Sequence, residues 1–306
     1  MTLHLTDADV AELLSPEVAI EAVEACLLRM ATGAVTTSPR DRLQLEEGSL
    51  SFAAAADVQL GYAGLEAQAR SRGEGGLAVL LFRSTAPELV AVLESETLGR
   101  LGAGAATGVA VRHLARPGAA SLGLIGCGRL AEAQLACIRA ALPSLERTVA
   151  YCRTRERLHA FCARTGAEPA ESHRDPADCD IVVTVTTSPD PVLRGEWLRA
   201  GALVCAVGAN DGRKRELDNV VVERATFVCC DSLEEAQAGS ADLIEPVDGG
   251  VLDWLEVHEL HEVVSGAVAG RQSESDIVLF KSNGLSAWDI AGAATVVERA
   301  LARGRG

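Results

Sequence analysis

A glycine-rich turn between an apolar run and a helical segment constrains the fold of this chain most strongly. The segment reads Leu122-Gly-Leu-Ile-Gly126-Cys127-Gly128-Arg129-Leu130-Ala131, a GxGxxA pattern. Gly126 permits a tight turn, Gly128 lets the backbone approach a pyrophosphate, and Ala131 lets the helix pack closely on the strand. The unpaired N–H groups at the helix start can bind phosphate oxygens. The pattern predicts a dinucleotide site formed by Gly126, Cys127, Gly128, Arg129 and Leu130.

The apolar runs around this turn predict a doubly wound parallel sheet. Strand-like runs alternate with helical segments at 121–125, 130–141, 148–152, 155–165, 181–186, 202–207, 226–230 and 277–280. Alternation of strands and helices is typical of α/β folds. The earlier segment 49–94 instead has short alternating runs that favour an antiparallel sheet. Helices are expected over 16–30, 97–116 and 288–302.

The end of the second strand of the α/β part indicates which dinucleotide binds. A site selective for NAD usually has an acidic residue there to hold the ribose diol. This chain instead has Cys152-Arg153-Thr154-Arg155-Glu156-Arg157. Guanidinium and hydroxyl donors suit a 2′-phosphate, so Arg153, Thr154 and Arg157 favour NADP(H) over NAD(H). The alternative for some of these arginines is an exposed helix start with no ligand.

Charge and composition exclude several classes of partner. The chain has 306 residues, 28 Lys and Arg against 43 Asp and Glu, and a formal net charge of −15. This charge repels polyanions, so we expect neither nucleic acid nor an anionic membrane as a partner. The longest apolar run, 77–82, is too short to span a bilayer. A small-molecule substrate is the remaining expectation.

Cysteine and histidine usage indicates a reduced, metal-free protein. The nine cysteines include no CxxC pair, and several lie in strand-like runs. We expect buried thiols in a cytoplasmic protein. His258 and His261 lie with acidic neighbours on a helix-like stretch, 254–264, and we interpret this stretch as a solvated face rather than a metal site.

Three further patterns resemble the ornithine cyclodeaminase/mu-crystallin family. They are Leu98-Gly-Arg-Leu-Gly-Ala-Gly-Ala-Ala-Thr-Gly, Ala206-Val-Gly-Ala-Asn-Asp-Gly-Arg-Lys-Arg-Glu216-Leu217-Asp218 and Phe280-Lys-Ser282-Asn-Gly284-Leu-Ser-Ala-Trp-Asp289. They occur in the family's order and extend over most of the chain. The resemblance implies a homodimer and NAD(P)(H)-dependent redox chemistry at an amine or imine carbon.

The resemblance also implies the division of the chain. A substrate-binding and dimerisation domain of α+β type would comprise residues 1–116 and 286–306. A Rossmann domain, residues 117–285, would be inserted in it. By similarity, Thr186, Thr187, Gly208, Ser282 and Gly284 would lie near the cofactor.

The departures from the family concern its charged groups. The substrate-binding arginine of the family falls on Gly102, its catalytic lysine near Ala63, and its catalytic aspartate on Asn210. Only an early arginine is kept, as Arg40. Without the lysine and aspartate, cyclising deamination of ornithine lacks its proton-transfer groups. Tyr62, Glu66 or Asp211 could replace the missing proton donor, although each is more often structural.

Three functional hypotheses remain from the sequence. The first is an NADPH-dependent reductase of an imine or ketimine, with a substrate carboxylate held by Arg40. The second is a cofactor- and ligand-binding protein that has lost catalysis. The third is an amino-acid dehydrogenase or cyclodeaminase with relocated catalytic groups.

Overall fold

The computed structural model describes residues 2–71, 74–86 and 88–304, which form two sheets with flanking helices. The strands are β1 (Leu3–Thr6), β2 (Val35–Thr37), β3 (Asp41–Leu45), β4 (Gly48–Asp57), β5 (Tyr62–Ser71), β6 (Glu74–Arg83), β7 (Leu89–Glu94), β8 (Ser121–Ile125), β9 (Arg147–Tyr151), β10 (Glu168–Pro169), β11 (Ile181–Thr184), β12 (Leu203–Ala206), β13 (Phe227–Cys230), β14 (Val257–Glu259) and β15 (Val278–Lys281). The helices are α1 (Asp7–Leu13), α2 (Pro16–Ala31), α3 (Glu96–Leu114), α4 (Arg129–Ala141), α5 (Arg155–Thr165), α6 (Arg174–Ala177), α7 (Asn219–Arg224), α8 (Leu233–Gly239), α9 (Ala241–Asp248), α10 (Leu260–Val264) and α11 (Ser286–Ala302). Short 3-10 turns cover Gly195–Trp197 and Trp254–Glu256.

The chain divides into two compact units. Unit 1 comprises Met1–Ala105 and Leu285–Gly306, and unit 2 comprises Ala106–Gly284. The first division lies inside α3, whereas the family resemblance implies a domain boundary after residue 116. The implied domain division stays a prediction.

Unit 1 is built on an antiparallel sheet covered by a helix. Its strand order is β1-β7-β6-β5-β4-β2, with β3 beside β4, and only β1 and β7 run parallel. Helix α11 packs against β4, β5, β6 and α2. A Cβ added at Gly64 on β5 would lie 2.4 Å from Cδ1 of Ile290, so this glycine allows the helix its close approach. Because side chains alternate along a strand, Tyr62 and Glu66 share the face of Gly64 and are buried with it.

Unit 2 is built on a parallel sheet of eight strands in the order β10-β9-β8-β11-β12-β15-β13-β14. Strands β11 and β12 are buried along their whole length, as expected for parallel strands covered by helices on both faces. The strand order reverses at β8, which pairs with β9 on one side and β11 on the other. The carboxyl end of β8, where the glycine turn begins, is therefore the usual ligand position of such a sheet.

The structure confirms the predicted fold class, a Rossmann-type parallel sheet combined with a second α+β part. Helix α2 begins as the sequence indicated, because the Ser15 hydroxyl accepts the N–H of Val18 at 3.4 Å and Pro16 occupies the first turn. The expected strand 277–280 is β15, shifted by one residue.

One secondary-structure prediction was wrong. The stretch 254–264 was interpreted as a single helix, but it consists of a 3-10 turn, strand β14 and the short helix α10. Strand β14 forms because its backbone pairs with β13, with His258 opposite Cys229. A sheet edge far away in sequence thus overrides the local helical pattern.

All nine cysteines are free, and only Cys152 is not fully buried. Within the described residues, no helix combines the length and the apolar character needed to cross a membrane.

Candidate active site

The glycine turn leaves an open helix start at the end of β8. Gly126 has φ +120°, and a Cβ there would lie 2.4 Å from the carbonyl oxygen of Val185, so only glycine fits. Its N–H donates to the carbonyl of Tyr151 at 2.8 Å, which fixes the turn against β9. Gly128 precedes α4 without any side-chain cap, and a Cβ there would meet nothing within 4 Å. The first N–H groups of α4 thus border open space, which suits the pyrophosphate of a dinucleotide.

The side chains in the turn differ in exposure. Cys127 is buried, and this burial raises the pKa of its thiol, so the thiol is neutral at physiological pH. Arg129 is exposed and Leu130 half-buried at the start of α4. The part of the turn that suits the phosphates is therefore its backbone, rather than a charged side chain.

The strand end next to the turn carries the arginines predicted to bind a 2′-phosphate. Arg153, Thr154 and Arg157 are all exposed. Thr154 precedes α5 and its hydroxyl does not cap the helix. Arg155 is tied to Glu171 at 3.0 Å, whereas neither Arg153 nor Arg157 forms an ion pair with any residue the structure describes. The geometry therefore leaves two guanidinium groups beside the start of α5.

One buried carboxylate holds the loops that follow β11 and β12. Glu216 accepts the hydroxyl of Thr184 at 3.0 Å, the N–H of Thr186 at 2.6 Å and the N–H of Gly208 at 2.7 Å. Burial and the carboxyl of Asp242 raise the pKa of Glu216, and these donors oppose that rise. Of the predicted cofactor residues, Thr186 and Gly208 are therefore joined through Glu216, and Thr187 is exposed next to them.

A second buried carboxyl holds the segment after β15. Asp231 accepts the hydroxyl of Ser282 at 3.0 Å and the N–H groups of Asn283 and Gly284 at 2.7 Å each. Burial raises the pKa of Asp231, against the effect of these donors. The two predicted residues, Ser282 and Gly284, thus share one acceptor.

Lys281 lies between these two carboxyl groups and is completely buried. Its ammonium donates to the carbonyls of Ala209 at 2.5 Å and Ser282 at 2.9 Å, and lies 3.8 Å from Asp242. The predicted cofactor residues that follow three neighbouring strands are therefore connected through buried charges.

The two proposed catalytic residues after β12 are exposed or tied to neighbours. Asn210 is exposed and its side-chain amide donates to the carbonyl of Asn283 at 3.4 Å. Asp211 pairs with Arg213 at 2.8 Å, and hydrogen bonds from Arg213 lower the pKa of Asp211 to about 2. Asp211 is thus ionised at neutral pH and is a poor proton donor.

The two residues predicted on β5, Tyr62 and Ala63, lie on opposite faces of the strand. Tyr62 is buried, and its hydroxyl accepts a hydrogen bond from the guanidinium of Arg83 at 3.1 Å. Ala63 is half-buried and points to the opposite face of the strand from Glu66. The acidic side chain of this strand is therefore Glu66, which lies on the buried face, three residues after Ala63.

In unit 1, three ionisable groups meet between the sheet and α11. The guanidinium of Arg40 donates to Glu66 at 3.2 Å, and both side chains are largely buried. Burial, and then the nearby Glu66 carboxylate, raise the pKa of Asp289 well above its ordinary value, while Arg40 opposes this. Arg40, the predicted carboxylate-binding residue, thus already faces an acidic pair.

Gly102 lies against this group. A Cβ at Gly102 would lie 3.3 Å from Oδ1 of Asp289, and one at Gly99 would lie 3.7 Å from the same atom. Oδ1 of Asp289 is buried and has no hydrogen-bond partner among the described residues. The structure therefore brings Arg40 and Gly102 together, around an acid that the sequence did not single out.

The residues that sequence reasoning missed are Glu66 as a paired acid, Asp289, Glu216, Asp231 and Lys281. Asp231 and Lys281 carry a usable signal, since each is a charged residue directly at the end of an apolar strand. Asp289 carries no local signal, because its partners lie on β5 and in the segment before β3. Among the described residues, no group of three or more His, Cys, Asp or Glu is arranged to hold a metal ion.

Comparison with known proteins links this geometry to one family. The model of the ornithine cyclodeaminase/mu-crystallin family matches residues 1–304. Alanine dehydrogenase of Archaeoglobus fulgidus is 33% identical over 319 residues, covering 100% of this chain and 97% of that protein. Delta(1)-pyrroline-2-carboxylate reductase of Bacillus cereus is 35% identical over 236 residues, covering 74% of this chain and 72% of that protein. An archaeal alanine dehydrogenase dimer with bound NAD superposes with a TM-score of 0.92 at 32% identity, covering 100% of this chain and 98% of that one.

Proposed function

This chain belongs to the ornithine cyclodeaminase/mu-crystallin family, and on that premise we propose that it is an NADPH-dependent reductase of a small imine. The reaction class is that of NAD(P)H-dependent imine reductases and amino-acid dehydrogenases, to which the relatives belong. The bound cofactor would supply the hydride, and the chain would bind the imine and provide its environment.

The observation that carries this proposal is the uncapped start of α4 behind Gly128. The first N–H groups of a helix need acceptors, and the N-cap residue of α4, Gly128, has no side chain to supply one. The space next to Gly128 is open, and Gly126 has the backbone conformation that the turn requires. A dinucleotide pyrophosphate satisfies these donors and is favoured by the helix dipole.

The preference for NADPH rests on the strand end at Arg153. No carboxylate stands where a ribose diol would need an acceptor, and Arg153 and Arg157 form no ion pair with the described residues. A 2′-phosphate would bring two charge-assisted hydrogen bonds into reach of these guanidinium groups. The uncapped hydroxyl of Thr154 would add a neutral donor.

The choice of an imine as substrate rests on what the chain lacks. Gly102 and Asn210 stand where the resemblance places charged groups, and Asp211 is ionised. Reduction of a ketone needs a proton donor for the developing alkoxide, whereas a protonated iminium is already electrophilic and depends mainly on orientation. Arg40 is the group we expect to hold a substrate carboxylate.

We also expect a homodimer in the cytoplasm. The archaeal alanine dehydrogenase to which this chain is similar is described as a dimer, and the nine free cysteines suit a reducing compartment. Size-exclusion chromatography with light scattering would test the dimer, and a monomer would contradict it.

The reaction itself can be tested with a small panel. Purified protein would be mixed with NADPH or NADH and with Δ1-pyrroline-2-carboxylate, Δ1-piperideine-2-carboxylate, or pyruvate with ammonia, and loss of the reduced cofactor would be followed by absorbance. We expect turnover with at least one cyclic imine, faster with NADPH. NADPH binding without turnover of any imine would instead favour the alternative function, a ligand-binding protein that has lost catalysis.

The cofactor preference has a matched pair of variants. Arg153→Ala should weaken NADPH binding about 10-fold or more, because a hydrogen bond to a charged group contributes about 1.5–3 kcal/mol. NADH binding should be unchanged. Arg155→Ala is the control, since Arg155 already pairs with Glu171. Equal losses of NADPH and NADH affinity in Arg153→Ala would contradict the 2′-phosphate assignment.

A further inference from the structure

An imine reductase with these residues needs a source of one proton. Free imines of low basicity are neutral over part of the physiological pH range, and hydride transfer to a neutral imine leaves a charged nitrogen that must be protonated. Asn210 has no acidic proton and Asp211 is ionised, so neither can supply it. Tyr62 keeps its hydroxyl proton, since its oxygen accepts the hydrogen bond from Arg83, but a phenol is a much weaker acid than a carboxylic acid. A buried, protonated carboxyl would therefore be the better donor.

Asp289 is the buried acid whose geometry fits that task. It lies in the first turn of α11 and is 7% exposed. Its Oδ1 atom has no hydrogen-bond partner among the described residues. Two residues of α3 close to this oxygen, Gly99 and Gly102, present no side chain. The carboxyl thus has an unused oxygen next to positions where α3 carries no side chains.

Glu66 gives this acid a partner of the same charge. Glu66 is 4% exposed on the helix-covered face of β5. Burial raises the pKa of Asp289 most, and the neighbouring Glu66 carboxyl raises it further. Arg40 donates its hydrogen bond to Glu66 at 3.2 Å, so Asp289 is the carboxyl of this group that is expected to keep a proton.

We propose that Asp289 is the acid that protonates the imine nitrogen, and that Glu66 positions its proton. This inference rests on the proposed imine reduction. The resulting carboxylate of Asp289 then faces an iminium cation, and Glu66 remains paired with Arg40. An acid in this position would favour a substrate with a basic C=N nitrogen over a ketone of the same shape.

Other charged side chains lie near this pair. Arg40 comes from the segment before β3, and Arg70 lies further along β5 than Glu66. Arg70 interacts electrostatically with Glu66 and Arg40, and also with Arg42 of β3 and Glu96 of α3. Arg40 is the cation seen to donate a hydrogen bond to Glu66.

The proposed step transfers one proton and one hydride to the imine. The O–H bond of Asp289 breaks and an N–H bond forms at the imine nitrogen. The imine carbon then gains a C–H bond from the hydride, and the C=N π electrons become the lone pair of the product amine. The reduced nicotinamide is oxidised, and water returns a proton to Asp289 after product release.

The first test compares two substrates that differ only in their need for a proton. Δ1-Pyrroline-2-carboxylate needs one, whereas its N-methylated iminium is permanently charged and needs only hydride. Asp289→Asn should lower kcat for the first substrate about 100-fold or more, the usual contribution of a positioned acid. It should leave kcat for the N-methyl iminium within a few-fold of wild type, and NADPH affinity unchanged.

The second test uses Glu66→Gln and the pH profile of kcat. Without the Glu66 charge, Arg40 would act on Asp289 alone and favour its ionisation. The basic limb of the profile should therefore move to lower pH, an effect that a purely structural role would not produce. Asp57→Asn is the matched control, because Asp57 is a buried carboxyl of unit 1 paired with Arg29, away from this group.

A third readout does not depend on activity. In infrared spectra of the cofactor-free protein at neutral pH, the difference between wild type and Asp289→Asn should contain the C=O stretch of one protonated carboxylic acid, beyond any band from the buried Glu216 and Asp231. That stretch should remain in Asp57→Asn.

Each result supports or overturns the proposal. Equal losses on both substrates in Asp289→Asn, or an unmoved pH profile in Glu66→Gln, would overturn it while imine reduction stands. Failure of wild-type protein to reduce either substrate would instead remove the proposed function. If Asp289→Asn does not fold, the pH profile of Glu66→Gln decides.

Discussion

Two buried aspartates, one in each unit, differ in how many hydrogen-bond partners surround them. Asp180 in unit 2 accepts the N–H groups of Ala120 and Ser121 at 3.0 Å each, the Ser121 hydroxyl at 2.7 Å, and the guanidinium groups of Arg116 and Arg199. Asp289 in unit 1 leaves Oδ1 without any partner in the described chain. Both side chains are buried to a similar degree, 4% and 7% exposed.

The difference separates a structural acid from one that is available for chemistry. Burial alone would raise the pKa of Asp180, but the hydrogen bonds from Ala120, Ser121, Arg116 and Arg199 lower it overall, so this group is a fixed carboxylate. Burial and Glu66 act in the same direction on Asp289. An unpartnered buried oxygen costs stability, and it persists where a ligand supplies the missing contact.

The largest effect should come from removing the structural acid. Asp180→Ala leaves two arginines and two backbone N–H groups without an acceptor, and we expect the free energy of unfolding to fall by about 3 kcal/mol. Urea denaturation would measure this. Arg147→Ala is the control, because its pair with Glu168 is exposed and contributes about 1 kcal/mol or less. If Asp180→Ala lost less unfolding free energy than Arg147→Ala, Asp180 would not be the structural acid that its contacts indicate.

A smaller effect is expected from paired alanine variants in the glycine turn. Gly126→Ala forces a positive φ and a contact with the Val185 carbonyl, so it should cost about 2 kcal/mol of stability and also weaken NADPH binding. Gly128→Ala meets nothing in the protein and should change stability by about 1 kcal/mol or less. It should still weaken NADPH binding, since its methyl group occupies the space where the pyrophosphate approaches. Unchanged NADPH affinity in Gly128→Ala would argue against the assigned pyrophosphate position.

The smallest effect is expected in the pH dependence of the free energy of unfolding. Asp180 and Asp289 should change it in opposite directions. The lowered pKa of Asp180 gives a contribution that is present above its unfolded pKa and is lost as the pH falls into the acid range. The raised pKa of Asp289 means that the folded state keeps a proton that the unfolded chain releases, so this contribution is lost as the pH rises above about 4. Each slope is at most about 1.4 kcal/mol per pH unit.

Urea denaturation of wild type, Asp180→Asn and Asp289→Asn at several pH values would isolate both slopes. The stability difference between wild type and Asp289→Asn should shrink with rising pH, and that for Asp180→Asn should shrink with falling pH. Slopes of the same sign would show that the two acids do not differ in protonation.

Much of unit 2 was predictable because its signals are local. A GxGxxA pattern needs only a strand, a turn and a helix in sequence, and β8, Gly126 and α4 follow each other as expected. The failure at 254–264 has a physical reason as well. Pairing of β14 with β13 satisfies backbone groups that a helix would have satisfied internally, and no local pattern reports the presence of that neighbour.

The candidate site in unit 1 was less predictable because its parts are distant in sequence. The family resemblance points to Ala63, but alternation along β5 puts Glu66 on the buried face and Ala63 on the other. Asp289 meets Glu66 only because α11 packs against β5, and Gly64 allows that approach. Chain folding over more than two hundred residues decides this contact, so single-sequence reasoning could name Glu66 as one option but could not find its partner.

The contacts of Glu216 have a consequence for how this chain can vary in evolution. It binds the backbone N–H groups of Thr186 and Gly208, so the side chain of Thr186 can change without loss of those two bonds. Gly208 has no such freedom, because a Cβ there would lie 2.3 Å from the backbone of Thr186 and 2.5 Å from Glu216. Homologues should therefore keep Glu216 and Gly208 as an inherited pair.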